Sequence, residues 1–463
     1  MCTCEGTKMY CTGGSLQSIP DRIPTHMTSL FFNDNRISSL RPGDFNGLHR
    51  VTVLHLGQNR LRHLPARVFD GLPNLRWLFL GSNAIVKVSS ETFRGLYNLQ
   101  ILQLHENQLE TLPDGIFQGL INLREIRLDS NRLHRFPSGL IDYSLRNLQS
   151  LALQRNKIKE LPNYTLWRLG NLKHFYLTDN LITSLTSGTL DGLYSLEQLR
   201  LSNNLVTSLS KEVFRHLTKL THLYLNGNKI TDVQDLFNGL HSLRQLDLDS
   251  NLIRLIPRHA FQDQDNLRVL SLRQNNIDKL SGSMFTGMRR LEELHLGNNN
   301  LSALPENVFS ILGSLKTLTL YQNRIETIDV GAFSGLSLLY KLQLSDNRLR
   351  TLPDHAFRGL ISLKQLWLNG NRIITLPVQT FQPMYRLRRL RLNDNRMVSI
   401  PGDLFSGLFL FSLKMYGNPF KCTCKLYRCV QRLRTIMHPR VRPRLGKCDG
   451  RIELRRLKRE QVC

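Results

Sequence analysis

Residues 99–120 read LQILQLHENQLETLPDGIFQGL, and this stretch decides the architecture. Leu99, Leu102 and Leu104 precede Asn107; Leu109, Leu112 and Pro113 follow it, and Phe117, Gly119 and Leu120 close the unit. The pattern L-x-x-L-x-L-x-x-N-x-L-x-x-L-P-x-x-x-F-x-G-L recurs along nearly the whole chain. Its asparagines are Asn35, Asn59, Asn83, Asn107, Asn131, Asn156, Asn180, Asn204, Asn228, Asn251, Asn275, Asn299, Asn323, Asn347, Asn371 and Asn395, with Asn418 closing the series. The step is 24 residues, save one of 25 (Asn131 to Asn156), one of 23 (Asn228 to Asn251) and the last, shortened one. A fixed period of this length predicts a stack of identical supersecondary units, none of which can bury its apolar face alone.

Each part of the unit has a physical task. The x-L-x-L-x segment alternates with period two, as a short strand with leucines inward and variable residues outward does. The asparagine amide both donates and accepts, so stacked asparagines satisfy turn backbone groups that would otherwise cost about 1–3 kcal/mol each if buried unpaired. Phe45, Phe69, Phe93 and Phe117, and then Phe214 to Phe405, predict a second buried column behind the strands. Ile141, Leu166 and Leu190 replace phenylalanine in three successive units, where the core should be thinner. The expected fold is an α/β solenoid, a curved horseshoe with a parallel sheet on its concave face.

Cysteine is confined to the two ends: Cys2, Cys4 and Cys11 at one, and Cys422, Cys424, Cys429, Cys448 and Cys463 at the other. This distribution favours disulfides and an oxidising compartment over a metal site, since no histidine ligand pattern accompanies the C-x-C pairs. The expected division is a cysteine-rich cap over residues 1–26, 16–17 repeats over 27–416 and a strongly basic cap over 417–463. No run of about 18 apolar residues is present to span a bilayer.

With its repeats and cysteine-framed ends, the chain resembles the extracellular leucine-rich-repeat proteins, of which the Slit, Nogo-receptor, Toll-like-receptor and variable-lymphocyte-receptor ectodomains are examples. The resemblance implies a secreted protein or receptor ectodomain that binds a protein ligand on the concave face. It also implies the pairings Cys422–Cys448, Cys424–Cys463 and Cys2–Cys11. Relatives usually carry a fourth cysteine in the first cap, which would place the partner of Cys4 upstream of Met1, with the numbered chain starting inside the cap. Cys429 falls with Leu426, Val430 and Leu433 on the apolar face of an expected short helix, where it is either a buried inert thiol or the source of an intermolecular disulfide.

What the pattern leaves free is where function is to be sought. On the concave strands the expected ligand-binding residues are Trp77, Phe79, His174, Tyr176, His222, Tyr224 and Trp367, with Phe31, His55 and Tyr321 beside them, because exposed aromatics have no core role; the alternative is that such aromatics shield the sheet or contact the caps, Phe31 above all. Glu125, Arg127 and Asp129, and Asp247 and Asp249 with Arg273, read as local ion pairs rather than a calcium site, which needs six or more converging oxygens. The formal charge is +26, with 62 Lys and Arg against 36 Asp and Glu. The final 43 residues hold fourteen of those cations and three acids. Arg389, Arg391, Lys414, Arg440, Arg442, Arg444, Arg455, Arg456, Lys458 and Arg459 therefore form an expected polyanion-binding set, for which heparan sulfate is the extracellular candidate. Asn163-Tyr-Thr165 and Asn300-Leu-Ser302 are glycosylation sequons. Phosphate-loop, H-E-x-x-H and G-x-S-x-G motifs are absent, which predicts neither an enzyme nor a cofactor. The readings left open are a protein-binding module, a matrix protein held by heparan sulfate through the basic cap, and an innate-immune pattern-recognition ectodomain. A second copy of the chain is also admissible as partner, and nucleic acid is disfavoured.

Overall fold

The computed structural model describes residues 2–141, 143–382, 384–438 and 444–461. The chain divides into two compact units, Met1–Lys229 and Ile230–Cys463. Each is a stack of three-residue parallel strands, one per repeat, so the solenoid reading holds for both.

In the first unit, Thr3–Glu5 pairs antiparallel with Lys8–Tyr10, which lies parallel to Ser29–Phe31 and starts the ladder. Val53–His55, Trp77–Phe79, Ile101–Gln103, Glu125–Arg127, Ser150–Ala152, His174–Tyr176, Gln198–Arg200 and His222–Tyr224 follow in order. The register advances by one repeat per strand; Glu125 pairs with Ser150, so the long step is absorbed without a slip. The extra residue falls in a repeat that closes with two 3-10 turns, Ser138–Ile141 and Tyr143–Asn147. In the second unit the ladder runs Gln245–Asp247, Val269–Ser271, Glu293–His295, Thr317–Thr319, Lys341–Gln343, Gln365–Trp367, Arg389–Arg391 and Ser412–Lys414. A 13-residue helix, Cys424–Ile436, and the hairpin Lys447–Cys448/Ile452–Glu453 close it.

The asparagines do the work expected of them. The Asn107 amide nitrogen donates to the carbonyls of Leu80 (3.1 Å) and Leu104 (3.0 Å), while its oxygen accepts the Ile85 N–H at 3.0 Å. Asn418 repeats this with Leu392, Met415 and Met397. One amide thus ties its own turn to the preceding one. The turn it serves is tight: the residue before each asparagine is left-handed, as at Glu106 (φ 52°), Gln322 (φ 52°) and Asp394 (φ 56°). Such a conformation ordinarily disfavours side chains by about 1–2 kcal/mol. At Gly370 (φ 69°) a Cβ would meet the Asp346 carboxylate, which would have to swing aside to admit any other residue.

The phenylalanines form the second column. In the second unit Phe285, Phe309, Phe333 and Phe357 succeed one another at 5.8–6.3 Å between ring centres, all fully buried. In the first unit Phe45, Phe69 and Phe93 do the same at 5.9 and 6.2 Å. Leu166 and Leu190 take over the buried positions where phenylalanine is missing. Over that stretch the large aromatics lie outside instead: Tyr143, Tyr164, Trp167 and Tyr194 are each more than half exposed.

At the ends, Cys2–Cys11 and Cys422–Cys448 are disulfides. Cys424 is disulfide-bonded too, and Cys463, its expected partner, lies outside the described residues. Cys4 is free and exposed. Cys429 is a free thiol buried with Leu426, Val430 and Leu433, as the inert reading has it, and burial pushes its pKa up to about 11.

Candidate functional site

The strands present two kinds of open face. In the first unit the aromatics expected to be exposed largely cover one another. Tyr10 stacks on Phe31 (4.8 Å between ring centres), Phe31 meets His55 at 6.5 Å, and His55 meets Phe79 at 5.0 Å. Phe31, His55 and Phe79 are consequently half-buried, a correction to the sequence reading whose cause is mutual stacking along the sheet. Trp77 alone of this group is exposed (43 %), in register with Val53 and Ile101. Desolvation draws the pKa of His55 down despite Asp34, and desolvation with the nearby Arg127 draws His105 down. The His105 ring occupies space that a Cβ at residue 81 would fill, which accounts for Gly81.

Further along, the Arg200 guanidinium lies between Tyr176 (5.5 Å) and Tyr224 (4.9 Å). Gln198 joins the group, its amide oxygen accepting from Arg200 (3.1–3.2 Å) and its nitrogen donating to the Tyr176 hydroxyl (3.1 Å). His174 stacks on Tyr176 at 6.2 Å and His222 on Tyr224 at 6.4 Å. The structure therefore brings His174, Tyr176, His222 and Tyr224 into one cluster, half-buried rather than protruding, and adds Arg200 and Gln198, which the search for aromatics passed over. Beside it opens a shallow depression of about 470 Å³ lined by Tyr176, Arg200, Arg127, Asp129, Arg155 and Asp179 among others. Arg127 holds Asp129 (3.1 Å) and Arg155 holds Asp179 (3.7 Å). In the second unit Arg273 lies 3.9 Å from Asp249.

The end of the second unit's sheet is different. Trp367 lies between Lys341 (4.8 Å) and Arg391 (4.1 Å), contributed by the strands on either side. Arg391 is in register with Lys414, and Lys414 bridges to Arg444. Arg389 and Arg444 are exposed, while Lys341, Arg391 and Lys414 are half-exposed. In the cap, Arg455, Arg456, Lys458 and Arg459 are exposed, but Arg455 (2.7 Å) and Arg456 (3.5 Å) share Glu453. Arg440 and Arg442 lie outside the described residues.

One arrangement has a chemical look. Thr319, His295 and Glu293 line up as hydroxyl, imidazole and carboxylate at 3.1 and 3.2 Å. Thr319 is only 2 % exposed, so its oxygen is shielded from any substrate carbonyl, and burial with the nearby Arg273 lowers the His295 pKa. Of the sequons, Asn163 is exposed, its amide oxygen accepting from the Thr186 and Thr189 hydroxyls, and Asn300 is half-buried.

The leucine-rich-repeat sequence profile matches in successive overlapping stretches from 25–85 to 362–420. The chain belongs to the leucine-rich-repeat family. A leucine-rich-repeat protein of Leptospira interrogans is 32% identical, with a TM-score of 0.71, over 85% of this chain and 95% of that one. The leucine-rich-repeat ectodomain of the Arabidopsis thaliana membrane receptor kinase GASSHO1/SCHENGEN3 shares the fold at 22% identity and TM-score 0.62, over 90% of this chain and 53% of that one. Drosophila Toll, in its complex with Spatzle, does so at 19% identity and TM-score 0.52, over 96% and 82%. Among the described residues of this leucine-rich-repeat protein, no helix is long and apolar enough to cross a membrane.

Proposed function

We propose that this leucine-rich-repeat protein is a non-enzymatic, extracellular binding module that engages a protein ligand through the open face of its sheet. The observation that carries this reading is the division of labour within each repeat. Leucine, asparagine and phenylalanine are consumed by the stack, whereas Trp77 and the Tyr176–Arg200–Tyr224 cluster make no demand on it. Rigid aromatics and arginine, held in place before a partner arrives, are the side chains that dominate protein interfaces. Disulfides at both ends support an oxidising location. The plant receptor ectodomain and Drosophila Toll, each captured with a partner, support this reading. The buried hydroxyl of Thr319 argues against catalysis at the one triad-like site described. The test is binding of the full chain to a panel of secreted and cell-surface proteins, beside a variant with Trp77, Phe79, Tyr176 and Tyr224 all changed to alanine. The variant should remain folded by circular dichroism and lose the partner at least tenfold; equal binding would remove the face from consideration.

A second reading, binding of heparan sulfate at the basic cap, is favoured by exposed Lys458 and Arg459 beside two arginines that share one carboxylate. Neutralising Arg455, Arg456, Lys458 and Arg459 should then lower the salt concentration that elutes the chain from heparin. Unchanged elution would exclude the cap. Glycosylation at Asn163 is part of the extracellular reading and is checked by a mass shift on deglycosylation that Asn163→Gln abolishes.

A further inference from the structure

The cations at the end of the second unit's sheet are arranged unlike those of an ordinary solvated surface. Elsewhere on the protein, basic side chains repeatedly find carboxylates one repeat away: Arg67 with Glu91, Arg254 with Asp278, Lys316 with Glu292. Lys341, Arg389, Arg391 and Lys414 have no such partner among the described residues. From Thr317 to Lys414 the outward strand positions carry no acid at all: Thr317, Thr319, Lys341, Gln343, Gln365, Trp367, Arg389, Arg391, Ser412 and Lys414. Two of the four cations are held in place by Trp367, whose ring takes Lys341 from one side and Arg391 from the other. A propped guanidinium loses less freedom on binding than a loose one.

A row of cations without carboxylate partners calls for a row of anions, and a protein partner supplies them as carboxylates. Trp367, covered by the two cations it props, adds charge to the strip and no bare ring.

We propose that the strip formed by Lys341, Trp367, Arg389, Arg391 and Lys414 docks an extended acidic segment of a partner protein. This rests on the reading of the chain as a protein-binding module and names the chemistry of its partner. The geometry sets the length. From the Lys341 strand to the Lys414 strand is three strand spacings, ~14 Å, which an extended peptide rising ~3.3 Å per residue covers in about five residues. Alternate side chains face the sheet, so carboxylates at the first, third and fifth positions meet Lys341, the Arg389–Arg391 pair and Lys414 in turn.

The experiment uses the full chain and a fluorescein-labelled peptide of sequence Gly-Glu-Ser-Glu-Ser-Glu-Gly, read by fluorescence polarisation at low and moderate salt. Saturable binding is expected, weakened by salt and at least tenfold weaker for the peptide with glutamine in place of glutamate. Lys341→Gln combined with Arg391→Gln should weaken it at least tenfold. Trp367→Ala should do the same and Trp367→Phe should restore it, because phenylalanine still props the two cations. Neutralising the cap residues Arg455, Arg456, Lys458 and Arg459 should leave it unchanged, and circular dichroism should show every variant folded. Absence of saturable binding, equal binding of the glutamine peptide, or loss only in the cap variant would overturn the proposal. So would a heparin oligosaccharide that binds through Lys341 and Arg391 where the peptide does not. If the peptide fails while the alanine variant at Trp77, Phe79, Tyr176 and Tyr224 still loses its partner, only this docking site is lost and the broader function stands.

Discussion

The start of the first unit's ladder and the end of the second's put aromatic side chains to opposite uses. In the first unit Tyr10, Phe31, His55 and Phe79 lie against one another along the ladder, so most of their apolar surface is already spent within the molecule. In the second, Trp367 is isolated among cations and serves to hold Lys341 and Arg391 out from the sheet. The lesson is that an aromatic on a repeat face is not by itself a contact point. Its neighbours one repeat before and after decide whether it offers a surface, as Trp77 does, or a support, as Trp367 does.

The comparison would fail at its root if the two units were not built on the same core. Phe69→Ala in the first unit and Phe309→Ala in the second remove equivalent buried rings, and each should cost about 3–5 kcal/mol. Native-state hydrogen exchange repeat by repeat is the appropriate readout, because long arrays need not unfold in one step. A loss under about 1 kcal/mol in one unit only would show that its column is not a true core. The supports come next: Trp367→Ala should cost about 1–2 kcal/mol through two cation–π contacts, and Trp77→Ala less than about 0.5 kcal/mol, since it is exposed and makes no such contact. Equal effects in denaturant would erase the distinction between support and surface.

The smallest effect is with pH. Burial depresses the pKa of His55 and His105 below the usual histidine value. Their contribution to stability is therefore fully present above about pH 6.5 and is lost as pH falls through the lowered folded-state pKa. Amide protection of the Val53–His55 and Ile101–Gln103 strands should decline between pH 7 and pH 5, while the Gln365–Trp367 and Arg389–Arg391 strands, whose lysine and arginine neighbours stay charged, should not change. A uniform decline would place the effect elsewhere.

Much of this molecule is legible in its sequence. The leucines, asparagines and phenylalanines recur at fixed offsets because each must meet its own copy in the next turn, so the sheet register could be written down before any coordinates. The local surface was harder to read. Contact with the cap is an open alternative for Phe31 in the sequence, and Tyr10 supplies it; the stacking of His55 on Phe79 one repeat on is not readable from either strand alone. Trp367 and Arg391 lie one repeat apart, and aligning the repeats in register would have revealed the pair. Reading the charged residues as one basic end and the aromatics as another class concealed it. The left-handed residues before each asparagine gave only a partial signal: aspartate, asparagine or glycine stands there in repeats such as Asp34, Asn203 and Gly227, but Glu106, Gln322 and Arg155 do not announce that conformation. Nor did the exposed Tyr143, Tyr164, Trp167 and Tyr194, which lie off the strands where the phenylalanine column lapses.

The central claim, that partners meet the open face of the strands, is tested most directly by photo-crosslinking. A benzoylphenylalanine placed at Trp77 or Tyr224 should capture a secreted or cell-surface protein. The same probe at Tyr97 or Tyr385, exposed residues outside the strands, should capture none. Crosslinks that form from Tyr97 or Tyr385 and not from Trp77 or Tyr224 would contradict the account.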